Sequence, residues 1–377
     1  MRGTLLILLA LSPWACHGPE DPVAPRVSPL VQPTTPANSP LYVGFPELDQ
    51  RIVAIDRDTG QVKQTLFPDS WSGEAGRVLD FAVRGSRLYA LLINRRGVDE
   101  RRLFVVDLKT GELTHTVELA PWPQNLTWDC RGRLWVGHAT PESGPVGMLS
   151  LVEPGGAEGK PTVTHTIALE GAAIGVVPLC PPGTSPCRAL VLQRTVREVA
   201  DDAVVRSSLA EVDPGQGRVV RARQLPPGAR TIALGPSGQI YVAHASGPGN
   251  LATDGTVSVV NRRTLRVVRR LRLSMVARSM VPTRERLVLN LLAGTGDVWI
   301  GVMAPDDRTE FDFRMGEVVG PDLALLDRTL YIPLRRGQAF QRVGLDGRGR
   351  PRLRIRGAED AGPRMGLVRT WMTCDGD

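Results

Sequence analysis

One short strand motif recurs along this chain of 377 residues: an aliphatic residue followed by aromatic and β-branched ones. It stands at Leu41 (LYVGF), Leu88 (LYALL), Leu134 (LWVGH), Ala189 (ALVLQ), Ile240 (IYVAH), Leu287 (LVLNL) and Leu330 (LYIPL), at intervals of 43 to 55 residues. A period of that length, broken by Gly-containing turns, is the span of a propeller blade of four short antiparallel strands. Seven occurrences predict seven blades. The expected fold class is therefore all-β, a single seven-bladed β-propeller over residues 40–377. The 40 Gly and 31 Pro supply turns in the number such a chain needs.

Alternation and turn residues place the strands within a period. The second blade reads as Val78 to Val83, Leu88 to Leu92, Arg102 to Asp107 and Leu113 to Leu119. The fifth reads as Thr231 to Leu234, Ile240 to His244, Thr256 to Asn261 and Leu265 to Leu273. The tail VRTWMTCDGD, Val368 to Asp377, resembles the internal stretch NLTWDCRGRLWV from Asn125 to Val136, with Cys374 in the place of Cys130 and Gly376 in that of Gly132. Leu41-Tyr42-Val43 then continues the unit that the tail begins. A chain that starts within a repeat and ends by supplying its missing strand is expected to close a ring, with the C-terminal strand innermost in the N-terminal blade.

The segments VAIDRDTGQVKQTL and VVDLKTGELTHTVEL, each a strand ending in Asp, a Thr-Gly turn and a second strand, resemble the YVTN-type repeat of prokaryotic surface and periplasmic propellers. The full turn signature occurs in the first two blades, and VVNRRTLRVV from Val259 is a degraded form. The resemblance covers residues 40–377. It implies architecture, since such repeats serve binding modules, adhesion proteins and enzymes alike.

The N-terminal MRGTLLILLALSPWAC has Arg2, an apolar run from Leu5 to Leu11, and Ala15 just before Cys16. It is a secretory signal over residues 1–16, too short for a spanning helix. A small residue followed by Cys resembles a bacterial lipoprotein processing site, which implies acylation of Cys16; the other reading is plain secretion. Residues 17–39 are Pro-rich without apolar periodicity and form an extended tether. The protein is expected to be exported, periplasmic or at the cell surface, and anchored to a membrane through its N-terminal lipid.

Of the 46 basic residues only Lys63, Lys109 and Lys160 are lysine, and the formal net charge is +7. Either a general Arg-for-Lys bias or attraction to an anionic surface accounts for this. Arg266, Arg269, Arg270 and Arg272, and Arg350, Arg352, Arg354 and Arg356, fall on predicted outermost strands. There they blunt an exposed edge or form a polyanion-binding rim. They lack the interleaved aromatics of a single-strand nucleic-acid platform, and no nucleic-acid partner is expected. Cys180 and Cys187 flank the turn-rich PPGTSP, so a local disulfide is expected in an oxidising compartment. A Cys130–Cys374 bridge is the further alternative.

Loops before each first strand and after each second strand emerge on one face, around the channel mouth. The residues ending the second strands are Phe45, Leu92, His138, Gln193, His244, Leu291 and Leu334. His138, Gln193 and His244 fall on consecutive blades and are the candidate ligand-binding group, with Trp122 placed to stack on a sugar or peptide. Paired imidazoles also suit a metal or acid–base chemistry, while the bland reading is that each His bonds loop backbone. Residues 123–136 resemble a segment of the gluconolactonase and senescence-marker family. That resemblance implies a metal-binding role for Asn125 and a metal-dependent hydrolase or lactonase as the alternative function. GxSxG, HExxH, P-loop and dinucleotide motifs are absent from the sequence, as is the repeated Trp motif of quinone-dependent dehydrogenases. The expectation is a monomeric binding or scaffolding module for a protein, peptide or glycan, without cofactor.

Overall fold

The computed structural model describes residues 40–369, apart from 45–51, 67–76, 94–98, 140–146, 156–158, 181–186, 200–201, 236–237, 246–254, 284–285, 294–297, 305–308, 316–322, 327, 335–338, 345–348 and 355–366. The expected signal, Cys16, the tether and Cys374 lie outside the described residues.

The strands are β1 (Leu41–Gly44), β2 (Ile52–Ile55), β3 (Val62–Leu66), β4 (Arg77–Arg84), β5 (Arg87–Ile93), β6 (Asp99–Asp107) and β7 (Leu113–Glu118). Next come β8 (Pro123–Trp128), β9 (Leu134–His138), β10 (Gly147–Glu153), β11 (Thr162–Leu169), β12 (Ala172–Leu179), β13 (Arg188–Val199), β14 (Asp202–Asp213) and β15 (Arg218–Leu225). The remainder are β16 (Ala229–Leu234), β17 (Ile240–Ala245), β18 (Gly255–Val260), β19 (Val267–Leu273), β20 (Val276–Pro282), β21 (Leu287–Leu292), β22 (Val298–Met303), β23 (Thr309–Met315), β24 (Ala324–Leu326), β25 (Thr329–Leu334), β26 (Ala339–Gly344), β27 (Gly349–Arg354) and β28 (Leu367–Arg369). They pair into seven four-stranded antiparallel sheets. Six sheets, from β4–β7 to β24–β27, take four consecutive strands, and the first combines β1–β3 with β28. This arrangement is an all-β β-propeller.

A sheet stacked between two others must be apolar on both faces. Accordingly β9, β12 and β17 are buried along their whole length, whereas the outermost β11 and β19 are largely exposed. Apolar clusters fill the seams between consecutive sheets. Leu190, Leu192 and Leu209 of the fourth sheet pack on Ile232, Ile240 and Val242 of the fifth. Each such side chain removed from water contributes about 1.5–3 kcal/mol, so the seams dominate the stability.

Two backbone devices repeat. After the third strand an acceptor side chain folds the chain into a tight turn. Asp56 Oδ1 accepts from the N–H groups of Asp58 (3.0 Å) and Thr59 (2.9 Å), and Asp107 Oδ1 from those of Lys109 (2.7 Å) and Thr110 (3.1 Å). The degraded copy is the same turn, since Asn261 Oδ1 accepts from Arg263 (2.9 Å) and Thr264 (3.1 Å). Leu265 takes φ +56° where the other two turns have Gly60 and Gly111 at φ +73° and +77°. The second device is a β-bulge near the start of the innermost strand, between Val78 and Asp80, Pro123 and Asn125, Ala173 and Gly175, Ala229 and Thr231, and Ala277 and Ser279.

β28 lies beside β1 as the innermost strand, with Tyr42 opposite Arg369, Val43 opposite Val368 and Gly44 opposite Leu367. The repeat alignment predicts Arg369 at Gly44, because Asn125 pairs with Gly137 in the third sheet. The observed register is displaced by two residues, a shift that preserves which side chains share a face. Removing residues 367–377 from the full chain is expected to cost about 2 kcal/mol or more, from backbone bonds worth about 1 kcal/mol each. Thermal denaturation of the truncated and intact chains checks this, and identical midpoints would show that β28 contributes nothing.

Candidate functional site

The residues ending β9, β13 and β17 meet the loops that lead into the first strands of their own sheets. His138 is fully buried; its Nδ1 donates to the Pro121 carbonyl (2.9 Å) and its Nε2 accepts from Ser150 Oγ (2.9 Å). Since a carbonyl only accepts, the proton sits on Nδ1. Gln193 Oε1 accepts from the Gly171 N–H (3.1 Å). His244 Nδ1 lies 3.3 Å from the Pro227 carbonyl. In the third and fifth sheets the Pro and the His are both 17 residues apart, a spacing that marks the contact in the sequence.

His138, Gln193 and His244 thus brace three incoming loops. The fifth sheet repeats the third with one difference. Ser258 occupies the place of Ser150, yet His244 Nε2 and Ser258 Oγ are both buried without a hydrogen-bond partner. Burial pushes the His138 imidazole down to about 4, offset in part by the carbonyls of Pro121 and Ala120. Burial likewise lowers His244, partly offset by the Pro227 and Pro226 carbonyls, and the positive Arg270 lowers it further.

Asn125 is buried and reaches into the next sheet, where its Nδ2 donates to the Ala173 carbonyl (2.8 Å). Gly137 makes room for that amide, since a Cβ there would sit 2.5 Å from Asn125 Oδ1 and 3.0 Å from the Ala173 oxygen. One sheet earlier, Asp80 Oδ2 accepts from the Leu126 N–H (2.9 Å). In both cases the residue after the bulge ties one innermost strand to the next.

Trp122 is 38% exposed, and its backbone has φ +59°. A left-handed conformation is unfavourable for a bulky L-residue. The turn demands it: the Trp122 carbonyl accepts from Ala139 N–H (2.8 Å), as the Gly228 carbonyl does from Ala245 N–H (2.9 Å) in the fifth sheet. Gly228 has φ +77°, so a strained Trp occupies a position that glycine fills two sheets on. Beside these loops, β13 and β14 run 12 residues each, their pairing extending to Val199 opposite Asp202. Val196 and Val205, paired across this hairpin, are 57% and 37% exposed.

Cys180 and Cys187 form a disulfide with Cα atoms 4.5 Å apart. Asp129 is the one carboxylate grouped with their sulfurs, within 4.8 Å among the described residues. Its oxygens already accept from the N–H groups of Arg131 (3.0 Å) and Arg133 (2.9 Å), Arg133 Nε (2.8 Å) and Trp135 Nε1 (3.3 Å). Disulfide sulfurs are not thiolate ligands, so in this bonded form the group is a structural knot.

No family model matches the chain, and no curated protein matches it. Solved structures do. A functionally unknown protein from Desulfotomaculum acetoxidans superposes with a TM-score of 0.60 at 14% identity, over 89% of this chain and 100% of the other. Sqt1 of Saccharomyces cerevisiae gives 0.57 at 12% identity, over 89% and 88%. A candidate 6-phosphogluconolactonase from Bacteroides uniformis gives 0.55 at 13%, over 89% and 100%. At these identities the likeness is one of fold.

The imidazole makes stability depend on pH. His138 titrates near 4 in the native state against 6.5 ordinarily, so between those values the unfolded chain binds a proton that the native one refuses. Its contribution is full above pH 6.5 and is lost as pH falls toward 4, by up to about 3 kcal/mol. Urea denaturation at pH 7.5 and 4.5 is expected to show this fall in the parent and a smaller one in His138→Gln.

Proposed function

We propose that the chain is an exported seven-bladed propeller of the YVTN-repeat type that serves as a binding module or scaffold, with its ligand face at the mouth formed by the loops around Trp122, Pro227 and the β13–β14 hairpin. The observation that carries this reading is Trp122. An exposed indole is held there at a backbone cost of about 1–2 kcal/mol, in a position where Gly228 serves the same turn without strain. Strain kept at an exposed aromatic is the pattern of a recognition surface. His138, Gln193 and His244 support the face from beneath by fixing its loops, and Asn125 fixes the channel wall behind it. The ligand is a peptide or glycan able to stack on the indole.

Two further parts belong to the proposal. The ring closes between the last sheet and the first; the β1–β28 pairing supports this, as does Tyr331 of β25, which feels the charges of Arg57 and Asp58 in the turn after β2. The body is held at a membrane through lipid on Cys16. The Cys180–Cys187 disulfide supports export, because such bonds persist in oxidising compartments.

Trp122→Gly separates recognition from stability. Its stability is expected within about 1 kcal/mol of the parent, since relief of strain offsets the added chain entropy, while retention on peptide and glycan arrays is lost. Full retention by a folded variant places the ligand elsewhere. For the anchor, Cys16→Ser is expected to lower the mature mass by the acyl groups and to move the protein out of the membrane fraction. An unchanged mass and partition would remove the lipid.

A further inference from the structure

The seam between the fourth and fifth sheets differs from its neighbours at the mouth end. In the third sheet the residue after the second strand is Ala139, and in the fifth the corresponding Ala245 packs on Val276 of the sixth. Small apolar residues suit that place, where one sheet meets the innermost strand of the next. In the fourth sheet the position is Arg194. Alternation along β13 puts Arg194 on the face of Leu190 and Leu192, the face turned toward the fifth sheet. Opposite it, the bulge of β16 inserts Arg230 between Ala229 and Thr231, with the parity of Ile232, which belongs to the same seam. Ser207 locks the two sides together: it pairs with Arg194 across β13 and β14, and its Oγ accepts from the N–H of Ala229, next to Arg230 (3.3 Å).

Both arginines are half-buried. Burial lowers the basicity of Arg194, the positive charge of Arg230 lowers it further, and burial lowers Arg230 as well. A guanidinium nevertheless stays protonated throughout the working pH range. Two like charges are thus held together in a partly dehydrated place where other seams put alanine. Such an arrangement is unfavourable by itself and becomes favourable when a doubly charged oxyanion lies between the forks, each donating paired N–H groups to it.

We propose that Arg194 and Arg230 form an oxyanion site at the mouth of this seam, taking a phosphoryl group carried by the ligand. The inference rests on the reading of this mouth as the ligand face and names the chemistry of one part of the ligand. Arg278 provides an internal control: it occupies the equivalent bulge of β20, where the facing residue of the previous sheet is Ala245.

The test uses the full chain with inorganic phosphate as probe and acetate as the monovalent arm, both at constant ionic strength in chloride. Thermal midpoint and calorimetric titration are read for the parent, Arg194→Gln, Arg230→Gln and Arg278→Gln. Phosphate is expected to raise the parent's midpoint. Arg194→Gln and Arg230→Gln are each expected to weaken phosphate binding about tenfold or more, the loss of charge-assisted hydrogen bonds, and Arg278→Gln leaves it unchanged. In chloride alone the midpoints of the first two variants equal or exceed the parent's, because removing one of two like charges relieves repulsion. A purely structural role predicts lower midpoints and no phosphate effect, and that result overturns the site. Equal binding of acetate and phosphate, or equal loss in Arg278→Gln, overturns it too. If phosphate has no effect while array retention still depends on Trp122, the oxyanion site alone fails and the mouth remains the ligand face.

Discussion

A strand on the inside of a propeller has one sheet neighbour and two flanking sheets, and its polar backbone must be satisfied in that crowded place. The recurring bulge is how this chain meets the constraint. One extra residue bends the innermost strand, and the next side chain is turned toward the neighbouring sheet. Asp80 then takes the Leu126 N–H and Asn125 reaches the Ala173 carbonyl, so consecutive sheets are tied by polar links as well as by the apolar seams. Buried polar groups are costly unless bonded, and these links are specific because their alternatives are unsatisfied. They fix the spacing of the sheets, and through it the positions of the loops at the mouth.

Those loops are held by a second layer of contacts. His138, Gln193 and His244 each bond the loop entering their own sheet, so the mouth is rigid where it could otherwise be loose. Variation is then free to occur on top. Trp122 and Gly228 serve one turn geometry with different surfaces, and Arg194, Ala139 and Ala245 occupy one place in the seam with different chemistry. The solved structures that superpose on this chain at 12–14% identity share the frame alone, which accords with function residing in such substitutions.

Much of the frame is legible in the sequence, for a physical reason. A central strand buried on both faces has to be continuously apolar, and LYV, LWV and IYV announce it. The Asp-Thr-Gly turns are equally visible because one side chain and one left-handed residue define them. Leu265 shows the limit, since a leucine holding the glycine conformation looks like a lost signature. The bulges are invisible, being a count of residues across a partner strand rather than a composition. The two-residue displacement of β28 has the same origin, as a period-two pattern cannot distinguish the registers. His138, Gln193 and His244 are legible as a set, whereas their partners Pro121, Gly171 and Pro227 are backbone atoms that no side-chain pattern reveals. Arg194 and Arg230 escape detection because their meeting depends on which face each strand turns to which neighbour.

The pairing of β28 with β1 also has a temporal side. Leu41 to Gly44 is among the first parts of the propeller body to leave the ribosome, or to emerge from any pore threaded from the N-terminus, while Leu367 to Arg369 is among the last. The first sheet therefore waits with its inner edge open until almost the entire chain has followed. The six sheets built from consecutive strands have no such delay. Completion is thus coupled to delivery of the whole polypeptide, and a chain stalled part-way retains an unfilled β-edge that a holding factor can recognise.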